Sequence, residues 1–343
     1  MSKPIKKRKV IDKPADSAKP IAKQEQADTG LAQSPAVTAR TGGVILGVMV
    51  IFAAVWMQVL GTATLARVDN TGPQESRPYT GTERFSPDTW YLPAEDLLGF
   101  VRIGPGSFTM GSDPSRDSMA YENERWSDEQ RQGRVDLPLY YIARYEVTVA
   151  QFRAFIEDTG YRFTREALQG DVEHPVRYVS WTDALAYANW LQSQLEQWTM
   201  LPDEISELFA ADWRLSLPSE AEWEKAARGD DGRVFPWGSQ AREDLANFNT
   251  TGTVAVGSIP CSDCAYNLAD MSGNVWEMTR SPLQAYPYDA TDDYDNLDAE
   301  SLWVMRGGSF TDQAANVRAS VRGAVDPGAR RPTIGFRLVL TRF

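Results

Sequence analysis

The chain has 343 residues, 42% of them hydrophobic, which is enough for one large globular domain or two modest ones. Its formal net charge of −12 is unevenly divided: residues 1–40 carry a net +5 and the remainder a net −17. Nucleic-acid binding depends on neutralising phosphates, so an acidic body of this kind argues against that role.

Residues 1–41 are rich in Lys, Pro, Ala and Gln and almost free of aromatics, and read as a disordered basic tail. Residues 42–66, Gly42 to Ala66, hold no charge over 25 positions. A helix needs roughly 20 apolar residues to cross a bilayer. A buried helix of a soluble domain fits badly, because both flanks are polar and low in complexity. A cleavable signal peptide is the alternative, with small residues at Ala63-Thr64-Leu65. The long leader before the apolar core is unlike a normal n-region, so the reading is an uncleaved signal anchor. Lys6, Lys7, Arg8, Lys9 and Arg40 then hold the N-terminus in the cytoplasm. The body lies on the far side of the inner membrane, in the periplasm of a Gram-negative cell or outside the cytoplasm more generally. Residues 67–96, dense in Pro, Thr, Gly and charge, read as a tether. Residues 97–343 follow as one domain without an obvious linker.

Within that domain, Phe100–Ile103 before Gly104-Pro105-Gly106 predicts a strand and turn, and 139–147 a second strand. Thr148 caps a helix over 149–158, with Phe152, Phe155 and Ile156 at helical spacing. Thr182 caps another through Ala184, Leu185, Ala188, Trp190 and Leu191. Pro218-Ser219-Glu220 opens a third, which stops at Gly229. From 229 to 335, Gly, Pro, Asn and Asp alternate with isolated aromatics. Eleven tryptophans suggest a core of large rings. Cys261 and Cys264 sit in a turn-like Cys-Ser-Asp-Cys unit, not at the strand-to-helix junction that a redox motif wants. With His174 as the one histidine, zinc lacks ligands, and a local disulfide in an oxidising compartment is the reading. His174, before Pro175, reads as a turn residue.

Around the third helix, Glu220 and Glu222 favour the positive end of the dipole, and Glu224 with Arg228 forms an i,i+4 pair. Arg318, Arg322 and Arg337 are expected to pair with acids and fix loops. The acids at Asp289, Asp292, Asp293, Asp295, Asp298 and Glu300 read as a solvated insertion.

Several blocks follow one another in a set order. They are Gly106-Ser107-Phe108-Thr109-Met110-Gly111-Ser112, Glu122-Asn123-Glu124-Arg125, Tyr145-Glu146-Val147-Thr148 and His174-Pro175-Val176 with Val179-Ser180-Trp181. After these come Trp213-Arg214-Leu215-Ser216-Leu217-Pro218-Ser219-Glu220 and Phe235-Pro236-Trp237-Gly238. Gly273-Asn274-Val275-Trp276-Glu277 and Met305-Arg306-Gly307-Gly308-Ser309 close the series. Together the blocks resemble the formylglycine-generating enzyme (sulfatase-modifying factor) domain family. The resemblance implies an α+β fold, a C-type-lectin-like variant with little regular secondary structure. Here it is preceded by the single transmembrane helix.

In that family two cysteines after the Gly-Gly-Ser bind copper and carry out the oxidation. Their positions here are Asp312 and Val317. A carboxylate and an isopropyl group cannot replace two thiolates for soft copper(I). Copper and formylglycine-generating oxidation are therefore not expected, and neither haem nor nucleotide is indicated. The family's iron branch, which makes sulfoxides on histidine betaines, needs several His ligands, which this chain lacks. A branch associated with siderophore maturation also lacks the thiols, so a comparable reaction stays open. Ser309, Asp312, Asn316 and Trp276 are the candidates for a degenerate cleft. Asn274 and Glu277 match the family's calcium loop, and Asn247 with Phe248 begins a second site whose following loop is shortened.

The leading reading is a membrane-anchored binding, regulatory or accessory subunit that recognises a protein or peptide partner, within a membrane or secretion complex. An enzyme with non-thiol chemistry around Ser309 and Asp312 is the alternative. A lectin-like carbohydrate binder rests on fold analogy alone.

Overall fold

The computed structural model describes residues 84–293 and 301–342. The basic tail, the apolar run 42–66 and residues 67–83 lie outside the described residues. Among the described residues no helix is long and apolar enough to cross a membrane.

The tether expected over 67–96 ends earlier than its composition suggested. Strands β1 (Phe85–Ser86) and β2 (Leu92–Pro93) pair antiparallel, and Phe85 and Leu92 are buried. The Arg84 guanidinium lies 3.8 Å from the Tyr145 ring centre and donates to the Val256 carbonyl. Glu95 accepts from Arg144 Nε at 2.8 Å and from the Tyr145 hydroxyl at 2.6 Å. The Pro and Thr content of this segment therefore marks turns of the domain, which begins by residue 84.

Next come β3 (Phe100–Ile103), β4 (Gly106–Gly111), β5 (Gln132–Leu137) and β6 (Tyr140–Ala143). Helix α1 (Val149–Thr159) starts as its sequence suggests. Thr148 Oγ1 accepts from Gln151 N, and Gln151 Oε1 accepts from Thr148 N, closing a capping box. Gly160, at φ 65°, ends it. Helix α2 (Trp181–Gln197) is capped by Ser180, not Thr182. Asp183, three residues on, completes that box with the Ser180 N–H at 2.8 Å, leaving Thr182 inside the first turn. Helix α3 (Asp203–Ala210) and β7 (Arg214–Ser216) precede α4 (Glu220–Arg228), which Ser219 caps. Strands β8 (Trp276–Pro282), β9 (Trp303–Arg306), β10 (Gly323–Val325), β11 (Ile334–Gly335) and β12 (Val339–Thr341) complete the order.

One four-stranded sheet runs β3-β6-β12-β7, antiparallel throughout. The other runs β10-β9-β8-β11, with β11 parallel to β8. The result is mixed helix and sheet joined by long loops. The core is aromatic, as the tryptophan content implied: Phe155, Tyr187 and Trp190 pack on one another. Trp181 stacks on Trp303 at 4.2 Å, its indole N–H donating to the Thr279 carbonyl.

Every residue of α4 is buried, and its acids are core ion pairs, not dipole partners at a wet surface. Glu220 accepts from Arg306 and Arg322, Glu222 from Arg280, and Glu224 from Arg228 and Arg306. Arg supplies fixed fork geometry for such pairs, so the helix is clamped on several sides. Asp293 also departs from the expected solvated insertion. Its carboxylate accepts from the Ser281 and Tyr288 hydroxyls, and burial pushes its pKa up to about 6. Asp295, Asp298 and Glu300 lie outside the described residues.

Candidate functional site

The Gly-Gly-Ser block leaves β9 as a strap, residues 307–317. Gly308 sits at φ 72°, and a Cβ there would meet the Asn316 carbonyl oxygen at 2.4 Å. Glycine thus lets the far end of the strap fold back onto its start. The loop at 247–250 runs alongside, with Asn249 N donating to the Asp312 carbonyl at 2.8 Å and Thr250 N to the Phe310 carbonyl at 2.7 Å. Phe310 N donates to the Asn274 carbonyl at 3.0 Å, joining the strap to the loop before β8.

Ser309, Asp312, Asn316 and Trp276 do converge, and Asp312 is their centre. Its Oδ2 accepts from the Trp276 indole N–H at 2.9 Å, Ser309 N at 2.9 Å and the Ser309 hydroxyl at 2.6 Å. Its Oδ1 accepts from Asn316 Nδ2 at 3.0 Å. Four donors occupy lone pairs that a metal ion would otherwise need. Val317 is fully buried and packs with Val234, Phe235, Ala246 and Phe248. Asp312 is thus a hydrogen-bond hub and Val317 a core residue.

Two neighbours were missed in the sequence. The Tyr121 hydroxyl donates to Asn316 Oδ1 at 2.9 Å, and Tyr121 is 43% exposed. The Arg177 guanidinium lies 5.9 Å from the Phe310 ring centre. Tyr121 immediately precedes the Glu122-Asn123-Glu124-Arg125 block, which was its one local signal. Arg318, beside Val317, binds Glu124 through both carboxylate oxygens and Asp117 through one. It thereby holds the loop that carries Tyr121.

Of the three residues expected at a calcium loop, Asn247 and Asn274 lie together and Glu277 lies apart from them. Gly273, at φ 80°, would place a Cβ 2.2 Å from the Asn247 carbonyl oxygen, so the two loops touch here. Asn247 Nδ2 donates to Asn274 Oδ1 at 3.2 Å, and Val254 N donates to the same oxygen at 3.1 Å. Glu277 does not join them. Arg337 grips both of its oxygens at 2.6 Å, and the Trp223 indole N–H adds a bond at 2.7 Å. The expected set of Asn274, Glu277 and Asn247 therefore does not form a cation cage as arranged. Among the described residues no group of three or more His, Cys, Asp or Glu side chains is placed to hold a metal.

The same region carries surplus buried negative charge. Glu146 accepts from Asn274 Nδ2 at 2.6 Å. Burial, then the charges of Asp270 and Glu277, push its carboxyl well above the usual range. Burial likewise lifts Asp270 to about 6, against the lowering pull of the Gly257 N–H, Arg337 and Arg84.

Cys261 and Cys264 are joined in a disulfide, with a sulfur–sulfur distance of 2.04 Å. The loop is also pinned by Arg233 Nη1 donating to the Asp263 carbonyl at 2.6 Å. So short a covalent loop removes little chain entropy. Cys261→Ser with Cys264→Ser is expected to cost no more than about 2 kcal/mol in urea unfolding. His174 is a turn residue: its carbonyl accepts from Val149 N at 2.9 Å, and its Nδ1 lies 2.9 Å from the Thr253 hydroxyl. Burial holds its pKa below the ordinary histidine value.

The family model for the sulfatase-modifying factor enzyme 1-like domain matches residues 91–342. The chain belongs to that family. Among family relatives, the hercynine oxygenase of Mycolicibacterium smegmatis is 29% identical over 286 residues, covering 69% of this chain and 60% of its own length. The inactive C-alpha-formylglycine-generating enzyme 2 of Bos taurus is 32% identical over 185 residues, covering 48% of this chain and 50% of its own. PvdO from Pseudomonas aeruginosa, a solved structure, matches with a TM-score of 0.56 at 25% identity, covering 71% of this chain and 94% of its own. This sulfatase-modifying factor-like chain spans about three fifths of the length of the hercynine oxygenases it matches.

Proposed function

We propose that the chain is a recognition module: a family cleft without copper oxidase chemistry, binding a peptide segment or partner surface as an accessory or regulatory subunit. The observation that carries this reading is Asp312, whose carboxylate is filled by four internal donors where a thiolate would be needed. The buried Val317 supports it from the second position. Half-exposed Trp276 and exposed Tyr121 give the cleft aromatic faces with polar tips, a composition suited to binding. The test is a pull-down of the full chain from its native membrane, followed by mass spectrometry. A stoichiometric partner lost on Trp276→Ala is expected; a chain recovered alone from wild type counts against the proposal.

A second reading, an enzyme using Ser309 and Asp312, is favoured by the 2.6 Å bond between them. It requires Asp312 to shed donors. Tight, stoichiometric transition-metal binding that Asp312→Ala abolishes would establish it in place of the first.

Residues 42–66 are proposed to anchor the domain outside the cytoplasm. A reporter fused after Phe343 should then be active only on the extracytoplasmic side, and activity in the cytoplasm would overturn the topology. Calcium is proposed only for the Asn247–Asn274 junction, where the surplus charge of Glu146 and Asp270 would favour a hard cation. Chelation should lower the melting temperature of the full chain, and Asn274→Ala should remove the difference. An unchanged melting temperature in chelator would exclude the site.

A further inference from the structure

Although the body is strongly acidic, exposed arginines gather on one face. Three segments, 161–166, 177–178 and 330–333, are tied together by hydrogen bonds. Thr164 Oγ1 donates to the Tyr178 carbonyl at 3.1 Å, and Tyr178 N donates to the Arg331 carbonyl at 3.0 Å. Arg177 Nη1 donates to the Pro332 carbonyl at 3.1 Å. Tyr161 and Arg330 both reach Asp183, which closes the third side. Arg162, Arg165 and Arg331 are exposed and Arg177 is half-buried.

Asp171 and Glu173, beside His174, offset this charge near Arg177, and less remains to offset it around Arg162, Arg165 and Arg331. Asp183 is consumed by Arg330 and by the cap of α2, and Asp326 turns back to the Gly328 N–H. Glu166 alone remains exposed on the three segments. Phe163, between Arg162 and Arg165 in sequence, is 37% exposed. The face also adjoins the cleft: Arg177 lies over the Phe310 ring, and Trp276 N donates to the Thr333 carbonyl at 2.8 Å.

We infer that this face extends the cleft and recognises an acidic peptide segment carrying an apolar or aromatic residue beside its carboxylates. The inference rests on the peptide-recognition reading above and names its ligand class. Guanidinium groups pair carboxylates through two parallel bonds. Phe163 and the cleft aromatics supply area at low entropic cost, as in binding hot spots. The acidic remainder of the domain repels the same peptide elsewhere, which directs it to this face.

The test pans a display library of random twelve-residue peptides against the full chain in detergent. The comparison protein carries Arg162→Glu, Arg165→Glu and Arg331→Glu, with circular dichroism melting as the fold control. A second comparison carries glutamine at the same three positions. The expected result is enrichment of Asp and Glu next to apolar residues, with the selected peptides bound about ten-fold more weakly by both variants. Selected peptides without acidic excess, lost on Trp276→Ala, would remove this inference and leave the cleft reading intact. Failure to select any peptide would remove both. Retention of wild type but not the variants on phosphatidylglycerol vesicles, with no acidic peptide selected, would assign the face to a lipid surface and overturn the inference.

Discussion

Arg337→Met is expected to destabilise the domain by about 3–5 kcal/mol, the cost of stranding one member of a buried pair. Arg337 is fully buried and donates to both oxygens of Glu277 and to the carbonyls of Ala143, Arg144 and Ala269. Without it, Glu277 keeps only the Trp223 indole as a donor, beside Glu146 and Asp270. Urea unfolding of the full chain in detergent reads the loss. Arg337→Met combined with Glu277→Gln should recover part of it, because the double variant leaves no orphaned charge there.

The same site gives a pH dependence whose sign can be worked out. Glu146 and Asp270 have folded pKa values above their unfolded ones. Their favourable contribution is therefore complete below the unfolded carboxylate range near pH 4, and is lost as pH rises through about 6 for Asp270. In chelator, Asp270→Asn should raise the melting temperature at pH 7.5 and change it little at pH 4. A variant less stable than wild type at pH 7.5 would show that the aspartate is held by favourable contacts.

Arg318→Met is expected to cost a similar amount, about 3–5 kcal/mol, with a local signature that the first variant lacks. Arg318 reaches Asp117 and Glu124 from the end of the strap and lies 5.1 Å from the Tyr121 ring centre. Its removal strands two acids and frees the loop that delivers Tyr121 to Asn316. Hydrogen exchange over residues 113–125 should accelerate well beyond the change elsewhere. Glu124→Gln in the Arg318→Met background should restore part of the stability without restoring protection of that loop. Uniform exchange across the domain would mean that Arg318 supports the core alone.

What the sequence made legible was local. Thr148 and Ser219 announced their helices because a capping hydroxyl and its answering side chain lie three residues apart. Ser180 was overlooked for Thr182 although Asp183 stood at the right spacing, since two hydroxyls competed within one turn. Helix α3 also had its signals, Asp203 and Glu204 after Pro202 and Ile205, Leu208 and Phe209 at helical spacing, but over only eight residues. The arginine clamps were legible as residue types but not as pairs: Arg306 and Glu220 lie 86 positions apart. Asp312 and Val317 could be read directly at the positions where the resemblance places the family's thiols. That Asp312 gathers its donors partly from β8, 36 positions upstream, depends on the folded strap.

The arginine preference of the domain reaches beyond its stability. Seven of the eight lysines fall within residues 1–23, and the last is Lys225. Lys225 is buried, with its ammonium on the carbonyls of Gly104 and Gly106. Among the described residues, amine-directed reagents therefore meet a nearly silent folded body. Acylating cross-linkers and biotinylation esters will say little about the domain. Carboxyl- or arginine-directed chemistry is the way to map what the domain touches.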